Sequence, residues 1–297
     1  MADTVSAHAT TLGAETARQS QSAIVARQLR RNRMAMIGAA LLVIEVVLAV
    51  AAPVVAPYDP LSQDFTVPLQ APSAAHLFGT DDVGRDLLSR VIFGARISLS
   101  VGFIAVAIGA GVGVVLGIIS GYYAGAIDTM LMRLTDLLLA FPGLLLALAI
   151  VAVLGPGLFN VMIAVGVGGV PVFTRLSRAS TLTTRERDYI LAARSIGCTD
   201  RRIMFGYVLP NVIPPIIVVA TLGIAGAILT AASLSFIGVG AQPPTPEWGA
   251  ILTLARQYLQ QAWWFTVFPG AAIMVTVLAI NMFGDGLRDA LDPKLRT

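Results

Sequence analysis

The sequence is poor in the side chains that most enzymes use. Its 297 residues include one cysteine and two histidines, and only 12% of them are charged. Cys198 alone cannot form an internal disulfide. His8 and His76 have no companions at metal-ligand spacing, so no metal site is predicted from this chain alone. The single lysine, Lys294, precedes Leu295 rather than serine or threonine, which excludes a P-loop ATPase site.

Other catalytic motifs are missing as well. The sequence has no His-Glu-x-x-His pattern and no nucleophile elbow with its serine, histidine and aspartate set. An intramembrane hydrolase is therefore disfavoured. We predict neither a catalytic site nor a cofactor bound by this chain.

Apolar residues, in contrast, are abundant. They make up 56% of the chain, and the mean hydropathy is +0.80. Runs of about 20 apolar residues match the length that a helix needs to cross about 30 Å of hydrocarbon. We predict an all-α integral membrane protein, because helices satisfy their own backbone hydrogen bonds in lipid. Its six predicted transmembrane helices are residues 36–57, 97–120, 129–154, 158–180, 208–238 and 265–286.

Basic residues are concentrated in two regions, and all but one of the 20 are arginine. Since arginine accumulates in cytoplasmic loops, we predict that both regions and both termini are cytoplasmic. The N-terminal region could bind nucleic acid, but a basic flank beside a membrane span is ordinary, so no nucleic-acid partner is predicted. The regions contain Arg18, Arg27, Arg30, Arg31 and Arg33 before the first span, and Arg175, Arg178, Arg185, Arg187, Arg194, Arg201 and Arg202 between the fourth and fifth.

These features divide the chain into four predicted parts. Residues 1–33 form a cytoplasmic N-terminal tail, and residues 288–297 a cytoplasmic C-terminal tail. Residues 34–95 contain the first transmembrane helix and an external proline-rich loop. Residues 96–287 form the transmembrane core, which includes a cytoplasmic segment at residues 185–206.

The external loop ends in a charged cluster. Asp81, Asp82, Arg85 and Asp86, together with Gly84, suggest a charge network that caps a helix beginning near Asp86. Calcium binding is an alternative, but the acidic residues lack the spacing of a calcium loop. A structural cap or a protein contact is favoured.

Small residues and a proline mark two of the spans. In the second span, glycine recurs at every fourth residue and so occupies one helix face, which predicts close helix packing. Lining a pore is the alternative. The four glycines are Gly109, Gly113, Gly117 and Gly121.

Pro142 in the third span predicts a kink, as a hinge or as a packing bend.

An amphipathic pattern between the fifth and sixth spans predicts an external interfacial helix. Trp263 and Trp264 are expected at headgroup level as anchors, and a role in receiving substrate is the alternative. The other apolar positions of the external pattern are Leu252, Leu254, Tyr258 and Leu259.

Glu45, in the first span, is expected to face another chain or to be neutral, with a proton relay as the alternative.

The cytoplasmic segment at residues 185–206 has a helix-turn-helix pattern. Gly197 is a predicted C-cap, and Thr199 or Asp200 can cap the second helix. Small and apolar residues beside arginines suit insertion into a groove on a soluble partner. An inner loop lying on anionic lipid is the alternative. The small and apolar residues are Ala192, Ala193 and Ile196.

This segment resembles the EAA motif of ABC importer permeases, which is Glu-Ala-Ala, three residues, Gly, nine residues, Ile, one residue and Leu-Pro. Leu191 replaces the glutamate and Tyr207 the isoleucine, so an ion pair from the glutamate position is not expected. Residues 76–99, 234–252 and 268–293 also resemble the peptide and nickel branch of these permeases. The EAA matches are Ala192, Ala193, Gly197, Leu209 and Pro210.

The resemblance implies a type I ABC importer permease fold with a cytoplasmic coupling helix, in the bacterial inner membrane. The implied partners are a second homologous permease, an external substrate-binding protein, the lipid bilayer and two cytoplasmic ATPase domains, which would bind ATP and Mg. The implied coupling residues are Arg187, Leu191, Ala192, Ala193, Arg194, Ile196, Gly197, Arg201, Arg202, Leu209 and Pro210.

The resemblance also implies import of di- or oligopeptides delivered by the binding protein. Nickel chelates, opines, glutathione and sugars stay as alternatives. An ion-coupled carrier is disfavoured, because the deeper ionisable residues are few: Glu45, Arg133 and Asp136. A noncatalytic membrane scaffold or receptor is the third class, and it predicts no solute movement.

Overall fold

A computed structural model describes residues 21–291. Most of the two predicted tails lies outside this range, including His8, Arg18, Lys294 and Arg296. Within it, the regular structure is helical, apart from an isolated bridge between Thr80 and Asp86. The helices are α1 (Gln21–Arg31), α2 (Arg33–Val50), α3 (Ala52–Val55), α4 (Leu87–Tyr123), α5 (Gly125–Leu139), α6 (Gly143–Leu154), α7 (Leu158–Arg185), α8 (Asp188–Ser195), α9 (Asp200–Ile203), α10 (Leu209–Ile237), α11 (Trp248–Ala255) and α12 (Trp263–Leu291).

The membrane spans agree with the predicted number. Five helical stretches are long and apolar enough to cross a membrane: α2, α4, α7, α12 and the stretch Asp200–Ile237, in which a π-helical turn at Met204–Val208 joins α9 to α10. Helices α5 and α6 provide the sixth crossing as a bent pair. The predicted all-α membrane fold with six spans is therefore confirmed.

The third span is broken rather than merely kinked. Helices α5 and α6 meet at 93° across a short break that ends at Pro142. Proline has no backbone N–H to continue the helix, and its ring disfavours helical geometry in the residue before it. The break therefore falls where the sequence predicts a kink.

Helix α4 begins ten residues before the predicted membrane span at residue 97, at the start that the charged cluster predicts. Its 37 residues correspond to about 55 Å, well beyond a 30 Å hydrocarbon layer. The start is fixed by Asp86, whose Oδ2 accepts hydrogen bonds from the backbone N and the Oγ of Ser89, at 2.8 and 2.7 Å. The predicted cap near Asp86 is confirmed, and the first turns of α4 project from the membrane.

Helices α4 and α7 touch through their backbones. The glycines at every fourth residue of α4 are buried, so they do not line a pore. A Cβ added at Gly113 would lie 2.7 Å from the carbonyl oxygen of Val170, too close for any real side chain. Small residues allow this close approach. The resulting van der Waals contacts hold the helices together in lipid, where the hydrophobic effect between helices is weak. The α4 glycines Gly109, Gly113, Gly117 and Gly121 face the carbonyl oxygens of Gly166, Val170, Thr174 and Arg178, respectively.

We expect Gly113→Val to force α4 away from α7. Overpacking of this kind costs about 1–3 kcal/mol, so the purified protein should unfold at a lower temperature. Gly111→Val is the matched control, because a Cβ at Gly111 has no atom within 4 Å. Thermal unfolding in detergent measures both variants, and an equal loss of stability in the two would contradict the packing assignment.

Candidate functional site

The segment at residues 185–206, called the cytoplasmic segment here after its predicted location, folds as the predicted helix-turn-helix, with α8 followed by α9. Gly197 ends α8 with a φ of +81°, a conformation that favours glycine. The Cys198 N–H donates to the carbonyl oxygen of Ala193 at 3.0 Å and the Gly197 N–H to that of Arg194 at 2.9 Å. These bonds close the helix end, and they confirm the predicted C-cap. Thr199 is the N-cap residue of α9, and its side chain accepts no capping hydrogen bond.

One side of α8 is covered by the rest of the chain. Ile190 and Ala193 are buried, and they pack in a cluster with Tyr122 of α4 and Ile203 and Val208 after the turn. The interpretation of Ala193 as part of the partner-facing surface is therefore wrong. Its small side chain is needed for close packing within this chain.

The other side of α8 is free in this chain and combines apolar and basic residues. Ile196 is 79% exposed and Leu191 is 52% exposed. Tyr189, 43% exposed, was missed by the sequence prediction, although it precedes Ala192 and Ile196 by three and seven residues and so shares their face. The other exposed predicted residues are Arg187, Ala192, Arg194, Gly197, Arg201 and Arg202.

Polar contacts fix this segment to the end of α4. The Tyr122 hydroxyl donates to Asp200 Oδ1 at 2.6 Å, and the Arg194 guanidinium lies 5.1 Å from the centre of the Tyr122 ring. Arg185 donates to the carbonyl oxygen of Gly121 at 3.0 Å. These contacts join α8 and α9 to the end of α4.

Leu209 and Pro210 lie away from the exposed face of α8. They form the first turn of α10, where a missing proline N–H is tolerated. Leu209 packs against the same cytoplasmic cluster as Ile203. The structure thus separates the EAA-like motif into an exposed helix and the base of a membrane span.

A cavity of about 230 Å³ opens between α4, α6, α7 and α10 in the membrane region. Its lining has no ionisable side chain, and Thr230 is its only residue with a polar side chain. A Cβ added at Gly143, Gly168 or Gly226 would meet no atom within 4 Å, unlike at the packing glycines of α4. These three glycines widen the cavity rather than allow helix contact.

The ionisable residues of the membrane region do not form a buried paired site at this cavity. Asp136 of α5 pairs with Arg175 of α7 at 2.6 Å, and both side chains are more than half exposed. Glu45 is half-buried in α2, and its Oε2 has no hydrogen-bond partner among the described residues. It is not among the residues that line the cavity.

The external face holds the predicted charge network. Arg85 Nε donates to Asp81 Oδ2 at 2.6 Å, and Arg90 Nη1 donates to the carbonyl oxygen of Pro60 at 3.0 Å. Burial raises the pKa of Asp82, and the charge of Asp81 adds to this effect. Among residues 21–291, no three Asp, Glu, His or Cys side chains are grouped so as to hold a metal ion. Its hydrogen bonds and ion pairs fit the favoured interpretation as a structural cap, and the interpretation as a protein contact stays a prediction.

The predicted external helix forms as α11, but the tryptophans differ from the prediction. Trp263 is 55% exposed, whereas Trp264 is buried and its indole N–H donates to the carbonyl oxygen of Thr80 at 3.3 Å. An anchor role for Trp264 at headgroup level is therefore wrong. Glu247 caps α11 by accepting from Gly249 N and Ala250 N, and burial raises its pKa.

Comparisons with known proteins agree with this architecture. Residues 113–297 match the family described as binding-protein-dependent transport system inner membrane component, and residues 20–72 match the N-terminal TM domain of oligopeptide transport permease C. The chain is 48% identical to the dipeptide transport system permease protein DppC of Alkalihalophilus pseudofirmus, over 91% of this chain and 89% of that protein. It is 49% identical to the glutathione transport system permease protein GsiD of Escherichia coli, over the same shares.

A solved structure shares the fold. A chain of the MetNI methionine ABC transporter, in an inward-facing conformation, superposes with a TM-score of 0.57 at 18% identity. The match covers 69% of this chain and 98% of that one.

We expect Ala193→Arg to destabilise the cytoplasmic end of the protein by about 3 kcal/mol, because it would force a guanidinium into a packed apolar cluster. Ile196→Arg places the same side chain on the exposed face and should leave stability nearly unchanged. Thermal unfolding and limited proteolysis of the purified variants distinguish the two positions. Equal stability would show that Ala193 is not buried in the protein.

Proposed function

This chain belongs to the family of binding-protein-dependent transport system inner membrane components, and we propose that it forms half of the path by which an ABC importer takes up di- or oligopeptides. The observation that carries the proposal is the exposed apolar and basic face of α8, fixed to α4, on a chain whose sequence has no P-loop. Such a face suits a partner that supplies the energy. The dipeptide permease relative supports peptides as the solute.

The proposed energy source is a pair of cytoplasmic ATPase domains that bind ATP and Mg. Helix α8 would sit in a cleft of one domain, with Leu191 and Ile196 in apolar contact and Arg187, Arg194 and Arg201 at the rim. Both termini would be cytoplasmic, which follows from the arginine-rich segment on the same side. A binding protein would deliver the solute to the opposite face.

The proposed path is the glycine-lined cavity between α4, α6, α7 and α10. It is open on one side, which a second, homologous permease would close to complete the path. Movement of the two permeases against each other would then expose the cavity to one side of the membrane at a time. A wall of glycine and small apolar residues binds no particular side chain, which fits solutes already selected by the binding protein.

Glutathione is the main alternative solute, because the GsiD relative is as similar as the dipeptide relative. Glutathione is itself a small peptide, so the path requires no different chemistry. Nickel chelates and opines are further alternatives that the sequence resemblance raises. An ion-coupled carrier is less well supported, since the cavity lining has no ionisable side chain.

Uptake by proteoliposomes tests the proposal. The chain is co-purified with its partner permease and ATPase, reconstituted, and supplied with binding protein and labelled di- to pentapeptides, glutathione or nickel chelates. We expect peptide uptake only when ATP and the binding protein are both present. Uptake without ATP by this chain alone would contradict the proposal.

We expect Ile196→Asp to prevent association of the ATPase while the chain stays folded. The exposed isoleucine would become a charge that the partner cleft cannot solvate, a loss of about 2 kcal/mol or more and thus at least tenfold in affinity. Leu259→Asp is the matched control, because Leu259 is an exposed leucine on the external face. Pull-down of the ATPase and ATP hydrolysis are measured. Normal ATPase binding by Ile196→Asp would contradict the coupling role of α8.

We expect Gly226→Leu to narrow the cavity without unfolding the protein, because the new side chain points into open space. Uptake of peptides with large side chains should fall several-fold more than uptake of dialanine. Gly111→Leu is the control, since it also has free space but lies outside the cavity lining. If Gly226→Leu transported all peptides as the wild type does, the cavity would not be the path.

A further inference from the structure

A second concave site lies on the face opposite the cytoplasmic segment. This groove has a volume of about 670 Å³, and it lies between the outer end of the first span, the start of the external loop and the first turns of α4. Its lining differs from that of the membrane cavity because it includes two charged side chains, Arg96 and Asp59. The argument for its ligand begins with the depth of Arg96.

The length of α4 fits a position of Arg96 at the level of the lipid headgroups. Helix α4 ends at Tyr123 beside the cytoplasmic segment, and Arg96 lies 27 residues before that end, or about 40 Å along the helix. A bilayer is about 30 Å thick in its hydrocarbon layer and about 40–45 Å with its headgroups. With Tyr123 at the headgroups of one side, the guanidinium of Arg96 would reach the phosphate groups of the other side.

The two charges of the groove are available to a ligand. Within residues 21–291, neither Arg96 nor Asp59 takes part in an ion pair. Both residues are exposed, and Asp59 Oδ1 accepts a hydrogen bond from Leu61 N at 2.8 Å, which orients the carboxylate. A guanidinium binds phosphate through two hydrogen bonds, and a carboxylate accepts hydrogen bonds from a primary ammonium group. The pair is complementary to a headgroup that carries both.

Apolar surface continues from the groove toward the membrane centre. Val54 and Val50, at the outer end of the first span, are 88% and 72% exposed. Phe103 is 65% exposed, and it lies seven residues after Arg96, so it is on the same face of α4 and about 10 Å deeper. These surfaces suit acyl chains. A free dipeptide would pair with Arg96 and Asp59 but would leave these apolar surfaces uncovered.

We propose that this groove binds one phospholipid with a phosphate and a primary ammonium group in its headgroup, as in phosphatidylethanolamine. The phosphate lies on Arg96 and the ammonium group on Asp59, and the acyl chains run between α2 and Phe103. The bound lipid fills the space between the first span and α4. The proposal is independent of the solute, so uptake assays neither support nor contradict it.

Native mass spectrometry of the full chain, purified in a mild detergent, tests this site. The protein is offered phosphatidylethanolamine, phosphatidylglycerol or phosphatidylcholine, one at a time, and the retained lipid is counted. We expect one phosphatidylethanolamine per chain, retained several-fold better than the other two. Phosphatidylglycerol has no ammonium group, and the ammonium of phosphatidylcholine has no N–H to donate.

Three variants separate the site from general lipid adsorption. Arg96→Gln should lower phosphatidylethanolamine retention about tenfold, because a charge-assisted bidentate contact is lost. Asp59→Asn should abolish the preference for phosphatidylethanolamine over phosphatidylcholine. Arg256→Gln, which removes an exposed arginine on the external face outside the groove, should retain the lipid as the wild type does.

Two outcomes would overturn the proposal. If Arg96→Gln retained lipid as well as the wild type, the bound lipid would be adsorbed elsewhere. If millimolar dialanine displaced phosphatidylethanolamine from the wild type but not from Asp59→Asn, the groove would be a peptide site. Each result is readable without transport, so failure of the lipid site is distinct from failure of the transport function.

Discussion

The backbone contact between α4 and α7 is the interaction on which the rest of the structure depends. Lipid surrounds the helices with material as apolar as their own side chains, so burial of apolar surface does little to bring them together. Close approach at the four glycines supplies dispersion contacts instead. The cytoplasmic end of this pair carries Tyr122 and Arg185, which hold α8 and α9, and its middle provides two walls of the membrane cavity.

Charged side chains lie near both ends of this pair and bond it to neighbouring elements, while the cavity lining has no charged side chain. At the cytoplasmic end, Arg178 Nη2 donates to Asp128 Oδ2 at 2.6 Å. At the external end, Arg90 Nε lies 3.4 Å from Asp81 Oδ2, and Arg90 Nη1 donates to the carbonyl oxygen of Pro60 in the loop. A charged side chain near water loses little hydration free energy, whereas a charged side chain at the cavity would need a buried partner. The helices are therefore positioned by charge where water is near and by shape where it is absent.

Hydropathy and glycine spacing predicted most of the fold, because bilayer thickness and helix geometry constrain them directly. Hydropathy alone could not show that α4 begins at Leu87, since a hydropathy window detects the length inside the hydrocarbon and not the length of the helix. The acidic residues before the helix predicted that start. Nor could the sequence patterns show which side of α8 is covered. Alanine at 193 is small on either side, and only the position of α4 decides its burial. The predicted anchor role of Trp264 was wrong for a similar reason, because its hydrogen-bond partner, Thr80, is distant in sequence.

The helical stretch Asp200–Ile237 runs from the cytoplasmic segment to the cavity and includes the π-helical turn at Met204–Val208 and two prolines, Pro214 and Pro215. Its 38 residues make a rod of about 57 Å, with Gly223 and Gly226 on the cavity wall beyond its midpoint. A rod that tilts about its middle moves its two ends in opposite directions. Such a lever needs no relay of side chains. In the proposed importer, closing the cavity on one side of the membrane and opening it on the other would then be two results of a single rotation.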